Sequence, residues 1–182
     1  MRIPLPKLKA TLLYFCHNTD PKFLGKVKLM KLFYFLDFSH LKRYGAPVTF
    51  DTYINLEHGP IPSGIKSLVD TAADDPDNST LADTIAFERP AGTNMYRILP
   101  RRAFTEKDSD YFSGPELETL KKVCARFGGV NTQTIEDASH KESPWQNTKL
   151  LEEIPYTLAA KDKDCLVTED DIDLLLKITG IK

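Results

Sequence analysis

The residues of this chain best suited to chemistry near neutral pH are four histidines: His17, His40, His58 and His140. Histidine changes its protonation state between about pH 5 and 8, so it serves as a general acid, a general base or a metal ligand. None of the four is spaced three or four residues from another strong ligand in the pattern of a known metal site. A hydrolase that uses His58 or His140 would need carboxylates, such as those of Glu57 and Asp137, to converge on them from elsewhere in the chain.

The motifs of several common enzyme classes are absent. The sequence contains no GxxxxGK[ST], no GxGxxG, no GxSxG and no HExxH. These patterns bind phosphates, expose a serine nucleophile or hold zinc. We therefore predict no catalytic residue, no metal site and no cofactor, and we keep the histidine–carboxylate hydrolase as an alternative only.

Three places in the sequence depart from the pattern of their surroundings. Asp37 falls within an apolar stripe, so its carboxylate must find partners or lie in an exposed groove. The segment 59–62 (GPIP) follows a predicted strand and imposes a rigid exit from it. The segment 143–145 (SPW) places the only tryptophan in a stretch that we predict to be irregular. Aromatic rings held in this way often anchor protein interfaces.

Composition narrows the class of protein. The 24 Lys and Arg residues nearly balance the 26 Asp and Glu residues, whereas a dedicated nucleic-acid-binding protein usually carries a strong basic excess. The cysteines, Cys16, Cys124 and Cys165, are odd in number and far apart, which argues against a disulfide framework. No stretch approaches the roughly 20 apolar residues that cross a bilayer. We predict a cytoplasmic protein that does not bind membranes.

The segment 26–44 is the most informative element because apolar residues cover most of its circumference. A helix that is apolar nearly all round is buried, so we predict a central helix that ends at Gly45. We expect its narrow solvated stripe to carry Lys28, Lys31, Ser39 and Lys42. Six Lys or Arg residues lie between positions 22 and 43, and this excess predicts either a solvated rim or a docking face for an acidic partner.

Helices and a few strands are predicted around this element. Helical periodicity and capping signals mark 7–18, 63–73, 113–128, 132–141 and 168–180. Alternation of apolar residues marks a strand at 50–57 and a hairpin over 83–99. The fold class is α+β and predominantly helical, with a compact helical domain around the central helix and a small antiparallel β-sheet or hairpin. We predict a single domain over 1–182, with a motif-bearing core at about 7–150.

Three blocks of sequence occur together in an order that is specific to one family. The first is KLMKLFYFLDFSHLKRYGAPV (28–48), the second is EHGPIP (57–62), and the third is SHKESPW (139–145). Together they resemble the Panacea domain of SocA-like antitoxins, formerly a phage-associated domain of unknown function. The matching residues are Lys28, Leu29, Lys31, Leu32, Tyr34, His40, Gly45, Gly59, Pro60, His140, Pro144 and Trp145.

The sequence departs from the family pattern at a few positions. Met30 replaces a common glutamine, Ser39 replaces an aromatic residue and Ile61 replaces a valine. The insertion at 74–99, which carries the predicted hairpin, has no family motif. These departures leave the predicted fold unchanged but bear on which partner is recognised.

The resemblance implies a bacterial antitoxin of a toxin–antitoxin system, which neutralises a cognate toxin by direct protein–protein binding. One branch of the family delivers its toxin to a bacterial protease as an adaptor, so a protease is a second expected partner. We predict that the partner is bound where the three blocks converge, by Lys31, Tyr34, His58, Gly59, Pro60, His140, Pro144 and Trp145. The alternative is a phage or mobile-element regulatory protein that binds a host protein or nucleic acid.

Overall fold

The computed structural model describes residues 3–92 and 95–180. Its α-helices are α1 (Leu5–His17), α2 (Lys26–Tyr44), α3 (Ser63–Asp74), α4 (Glu106–Ser109), α5 (Gly114–Phe127), α6 (Thr132–Ser139), α7 (Ser143–Gln146) and α8 (Glu169–Thr179), and a 3₁₀ helix covers Tyr156–Lys161. The strands are β1 (Tyr53–Leu56), β2 (Gly59–Pro62), β3 (Ile85–Glu88) and β4 (Arg97–Pro100), paired as two antiparallel hairpins. The predicted class, a predominantly helical α+β fold, is confirmed.

Helix α2 lies at the centre, with the bounds that the sequence predicts. Its aromatic side chains pack on both neighbouring helices: Phe33 meets Phe15 of α1 with ring centroids 5.1 Å apart, and Phe35 meets Phe127 of α5 at 4.3 Å. Gly45 ends the helix in the left-handed region, at φ 80°, where a residue without a Cβ is favoured.

The predicted solvated stripe of α2 is wrong. The side chains of Lys28 and Lys31 are fully buried and that of Lys42 is nearly so. Each ammonium group instead binds backbone carbonyls or carboxylates from distant parts of the chain. Three of the six basic residues between positions 22 and 43 are therefore used inside the fold, and the other three are exposed or half-buried.

The segment GPIP is also different from the prediction. It does not end a strand but forms strand β2, which pairs with β1 in the register Tyr53↔Pro62, Ile54↔Ile61 and Asn55↔Pro60. The backbone of Asn55 turns away from β2 and bonds to the segment 151–152 on the other side of β1. Pro60 therefore stands where no N–H group is needed, which explains how a proline is accommodated in a strand.

The second hairpin, β3–β4, confirms the prediction for 83–99, although Thr93 and Asn94 of its turn lie outside the described residues. The capping boxes predicted for α5 and α8 are present, at Ser113–Glu116 and Thr168–Asp171. The segment 143–145 is not irregular as predicted, because it forms the first residues of the short helix α7. Among the described residues, no helix is long and apolar enough to cross a membrane.

Candidate functional site

The turn between β1 and β2 brings the second sequence block against helix α6. The side chain of His58 is 67% exposed, and its Nδ1 lies 3.0 Å from Glu136 Oε1. Gly59 follows at φ +89°, and a Cβ built there would lie 2.6 Å from Ser139 Oγ. Both observations require glycine at this position, because other residues rarely adopt this backbone conformation and no space remains for a side chain. The backbone of the hairpin at Gly59 therefore packs directly against the side chains of Ser139 and Lys31.

Lys31 lies directly beneath this turn. Its Nζ donates to the carbonyl of Pro60 at 2.9 Å, and its side chain has no exposed surface. Burial lowers the pKa of Lys31 to about 7, although the carboxylate of Glu136 acts in the opposite direction. A single carbonyl satisfies one of the three ammonium donors, so the charged form is poorly compensated.

The third sequence block lies beside the same hairpin. The rings of His140 and Trp145 are stacked with centroids 4.0 Å apart and an interplanar angle of 22°. Trp145 Nε1 donates to the carbonyl of Leu56 at 3.3 Å, which ties α7 to the end of β1. Burial lowers the pKa of His140; the carboxylate of Glu136 opposes this effect, and the ammonium group of Lys31 adds to it. Pro144 is buried and both rings remain partly exposed.

Asn55 holds these pieces together, and the sequence analysis missed it. Its Nδ2 donates to the carbonyls of Trp145 and Thr148 at 3.0 and 2.9 Å. Its own carbonyl accepts from the N–H of Leu151 at 2.7 Å. Alternation with Tyr53 on the buried face of β1 is the signal that could have identified it, because a polar residue on an inward face must be hydrogen-bonded.

Two exposed leucines extend this region. Leu150 is 61% exposed and Leu151 is 72% exposed. Leu151 also has a positive φ of 70°, which is uncommon for a residue other than glycine. Neighbouring exposed leucines beside a tryptophan are typical of binding surfaces. We call the exposed parts of His58, His140, Trp145, Leu150 and Leu151 the hairpin surface.

Tyr34 is placed elsewhere, in the interior. Its ring has no exposed surface and packs on Phe38 at 4.5 Å and on Tyr53 at 5.8 Å. Among the described residues its hydroxyl group has no hydrogen-bond partner. Burial raises the pKa of Tyr34 well above its ordinary value, and the carboxylates of Glu142 and Asp162 add to this effect. Of the eight predicted residues, Tyr34 packs against the hairpin from the interior, through Tyr53 of β1, and has no exposed surface.

Next to Tyr34, the unusual Asp37 finds a full set of partners. Its Oδ1 accepts from the N–H groups of Val48 and Thr49 at 2.9 and 2.8 Å, and its Oδ2 accepts from the hydroxyl groups of Thr49 and Tyr53. Burial raises its pKa to about 6 while these hydrogen bonds act in the opposite direction. Asp37 therefore fixes the chain that leaves α2 and is not part of an exposed groove.

The end of α2 is joined to α7 by a cluster of charges. Lys42 Nζ binds the carboxylates of Glu142, Asp162 (2.7 Å) and Asp164 (3.1 Å). Burial alone would lower the pKa of Lys42, but Glu142 and Asp162 hold it above its ordinary value. Glu142 is the residue before α7 and Asp162 follows the 3₁₀ helix, so one ammonium group fixes the position of both elements.

The geometry of the hairpin region fits recognition better than catalysis. A histidine–carboxylate pair does form, but the partner of His58 is Glu136 and not Glu57 or Asp137, the carboxylates named from the sequence. The neighbouring hydroxyl of Ser139, however, is buried and donates to the carbonyl of Glu136 at 2.7 Å. This serine is therefore not available as a nucleophile for that pair. The exposed groups are an imidazole, a stacked His–Trp pair and two leucines, which are contact residues.

Comparison with known proteins identifies the family. No curated protein and no solved structure matches the chain. A family model, described as the antitoxin SocA-like Panacea domain, matches residues 29–146. The matched region begins in α2, ends with α7 and includes every residue of the three sequence blocks except Lys28. Because the match covers more than half of the sequence, the chain belongs to the SocA-like Panacea family of antitoxins.

Proposed function

We propose that this protein neutralises a cognate toxin by direct protein–protein contact. The observation that carries the proposal is the family match over 29–146, which gives the chain an antitoxin role in general terms. A protein that acts by binding needs a preorganised contact surface and no catalytic group. The proposal therefore assigns no catalytic residue, and it names the toxin as the partner.

The hairpin surface is our proposed contact region. Trp145 has the residue type most often found at the energetic centre of interfaces, and its ring is held by His140 and by the carbonyl of Leu56. His58 is presented on a two-residue turn whose neighbour, Gly59, allows no movement towards α6. A surface held in this way loses little conformational entropy when a partner binds.

The other predicted residues take a supporting role in this proposal. Lys31, Gly59, Pro60 and Pro144 are buried beneath the hairpin surface. These buried residues fix the positions of the turn and of α7. They would affect toxin binding only indirectly, by positioning the exposed residues. Tyr34 supports the interior next to them. Whether the bound toxin is held in an inactive complex or delivered to a protease is a second question within the same proposal, and both mechanisms require this contact.

The experiment is co-expression with the product of the neighbouring gene, read as growth rescue and as pulldown of that product. Trp145→Ala should weaken binding by at least about tenfold and abolish rescue, since truncating a central interface aromatic costs ~2 kcal/mol or more. His58→Ala should weaken binding less. Tyr111→Ala is the matched control, because Tyr111 is an aromatic residue outside the hairpin surface and 49% exposed.

Using both Trp145→Ala and His58→Ala separates a loss of binding from a loss of folding. Trp145→Ala removes a hydrogen bond within the fold, so its thermal midpoint must be measured alongside binding. His58→Ala changes an exposed side chain and is expected to fold normally. If the neighbouring gene product is not toxic, or is not bound by the wild-type protein, the proposed function is wrong. If it is bound equally by all variants, the function stands and the hairpin surface is excluded.

A further inference from the structure

A groove on another face of the molecule lies between α2 and α5. The two helices run antiparallel: Lys28 near the start of α2 binds the carbonyl of Gly128 after α5, and Tyr44 at the end of α2 binds Glu118 near the start of α5. The groove has a volume of about 290 Å³ and opens towards the segment that follows the 3₁₀ helix. None of the eight partner-binding residues predicted from the sequence lines this groove, although Ser39, Lys42 and Arg43 of the first sequence block do.

Positive charge is concentrated along this groove. Lys42, Arg43, Lys122 and Arg126 all line it, in a chain whose net charge is −2. Lys42 is already bound to three carboxylates, and Lys122 is paired with Glu118. In the described part of the chain, Arg43 and Arg126 have no carboxylate within salt-bridge distance, although both are exposed. Arg43 Nε donates to the hydroxyl of Tyr44 at 3.1 Å, so the two terminal NH₂ groups of Arg43 and the guanidinium of Arg126 remain for an anion.

The lining between these charges is apolar. Val123 and Phe127 of α5 form its inner side, and Leu166, whose side chain is 72% exposed, forms the edge. The guanidinium of Arg126 lies over the rings of Phe127 and Phe35, with its carbon 4.6 and 5.5 Å from their centroids. This stacking holds the arginine at the rim and leaves the edge of its planar donor group free to bind a carboxylate.

One carboxylate of the chain itself already lies in the groove. Asp164 is 73% exposed and binds Lys42 at 3.1 Å, alongside the two more buried carboxylates of Glu142 and Asp162. Those two already compensate the charge of Lys42. Asp164 is thus the dispensable member, and its negative charge lowers the attraction of the groove for other anions.

We propose that this groove binds an acidic segment of a protein partner, with an apolar side chain placed between the two arginines. Carboxylates match the planar donor groups of Arg43 and Arg126, which bind them in a bidentate manner. An apolar residue matches the surface formed by Val123, Phe127 and Leu166. A nucleic-acid backbone would supply the charge but no apolar group, and the chain lacks the overall basic excess that nucleic-acid binding requires. The inference holds for any such partner and does not depend on the identity of the toxin.

The test uses a fluorescein-labelled peptide, rich in glutamate with a central pair of leucines, and measures fluorescence polarisation with the full-length protein. We expect binding that weakens as salt is added, since exposed charges are screened. Arg126→Glu and Arg43→Glu should each weaken binding by about tenfold. Asp164→Asn should strengthen it by a few-fold, because it removes a like charge from the groove.

The controls separate this groove from general electrostatics. Lys107→Glu makes the same change of charge on α4, which packs against α1, and should leave binding unchanged. A peptide with glutamine in place of glutamate should not bind. An oligodeoxythymidine of similar charge tests the nucleic-acid alternative. Absence of peptide binding, equal effects of the three charge reversals, no gain from Asp164→Asn, or tighter binding of the oligonucleotide would each overturn the proposal.

Discussion

Two buried charged residues of α2, Asp37 and Lys31, differ in how many hydrogen-bond partners the protein supplies to them. Asp37 accepts hydrogen bonds from two backbone N–H groups and two hydroxyl groups, which offset much of the cost of burying its carboxylate. Lys31, less than two turns earlier in α2, has one carbonyl for three donors. Water is excluded from both side chains, but only around Asp37 do several hydrogen-bonding groups of the protein take its place. The comparison suggests that Asp37 specifies the fold, whereas the charge of Lys31 is tolerated beneath the hairpin surface.

The largest expected effect comes from removing the compensated charge. Asp37→Ala leaves the N–H groups of Val48 and Thr49 and the hydroxyl of Thr49 without an acceptor in a buried site. Since each buried unsatisfied group costs ~1–3 kcal/mol, we expect a loss of at least about 3 kcal/mol in the free energy of unfolding. Denaturant unfolding measures it. A smaller loss for Asp37→Asn, which keeps one acceptor, is the matched control, and a loss below ~1 kcal/mol for Asp37→Ala would contradict this role.

An intermediate effect is expected where the hairpin closes over Lys31. Gly59→Ala combines a positive φ with a Cβ placed 2.6 Å from Ser139 Oγ and 3.0 Å from Lys31 Cε. Gly92→Ala has a similar φ of +79° with nothing within 4 Å. The control should lose ~1 kcal/mol through backbone strain alone, and Gly59→Ala about 2–3 kcal/mol. Equal losses would show that the approach of the hairpin to α6 can relax freely.

The smallest expected effect is a change in the free energy of unfolding with pH, caused by the buried lysines. Burial lowers the pKa of Lys31 to about 7 and that of Lys28 to about 8, so above pH 7 the unfolded chain binds protons that the folded chain does not. The free energy of unfolding should therefore rise with pH, by about 2 kcal/mol between roughly pH 7 and 8.5. Above this range the cysteines oppose the trend, because burial raises the pKa of Cys16 and Cys124 to about 12.

The variants for this prediction are Lys31→Met and Lys141→Met. The first should remove the larger part of the rise between pH 7 and 8.5 and leave the part due to Lys28, and the second, at an exposed lysine, should leave the rise unchanged. Unfolding in denaturant at several pH values provides the measurement. A wild-type stability that falls over this range, or a slope that Lys31→Met does not alter, would show that the ammonium of Lys31 is as well compensated as the carboxylate of Asp37.

The elements of the fold followed from the sequence wherever a local rule determines them. The apolar circumference of 26–44 and the glycine after it gave the bounds of α2, and the capping boxes gave the starts of α5 and α8. The buried lysines were not predicted, because residue type alone suggests solvent for an ammonium group. Their partners are carbonyls of Pro60, Gly128 and Val130, which are distant in sequence, so no local pattern shows them.

The candidate site was predicted in part for the same reason. His58, Gly59, Lys31, His140 and Trp145 occur in separate blocks, and the family resemblance brought them together before any geometry was known. Strand β2 was missed because two prolines in four residues argue against a strand, and only the orientation of Asn55 removes the conflict. Asn55 itself was missed because its role depends on carbonyls from α7 and from the loop after it.

The prolines of β2 have a consequence for the protein before it meets any partner. Exposed strand edges recruit strands from other molecules, and such pairing is a common first step of aggregation. Pro60 and Pro62 have no N–H group to offer, and the carbonyl of Pro60 is occupied by the ammonium of Lys31. The outer edge of this hairpin is therefore a poor template for another strand. The hairpin beneath the exposed contact residues can thus be rigid with little risk of polymerising through its edge.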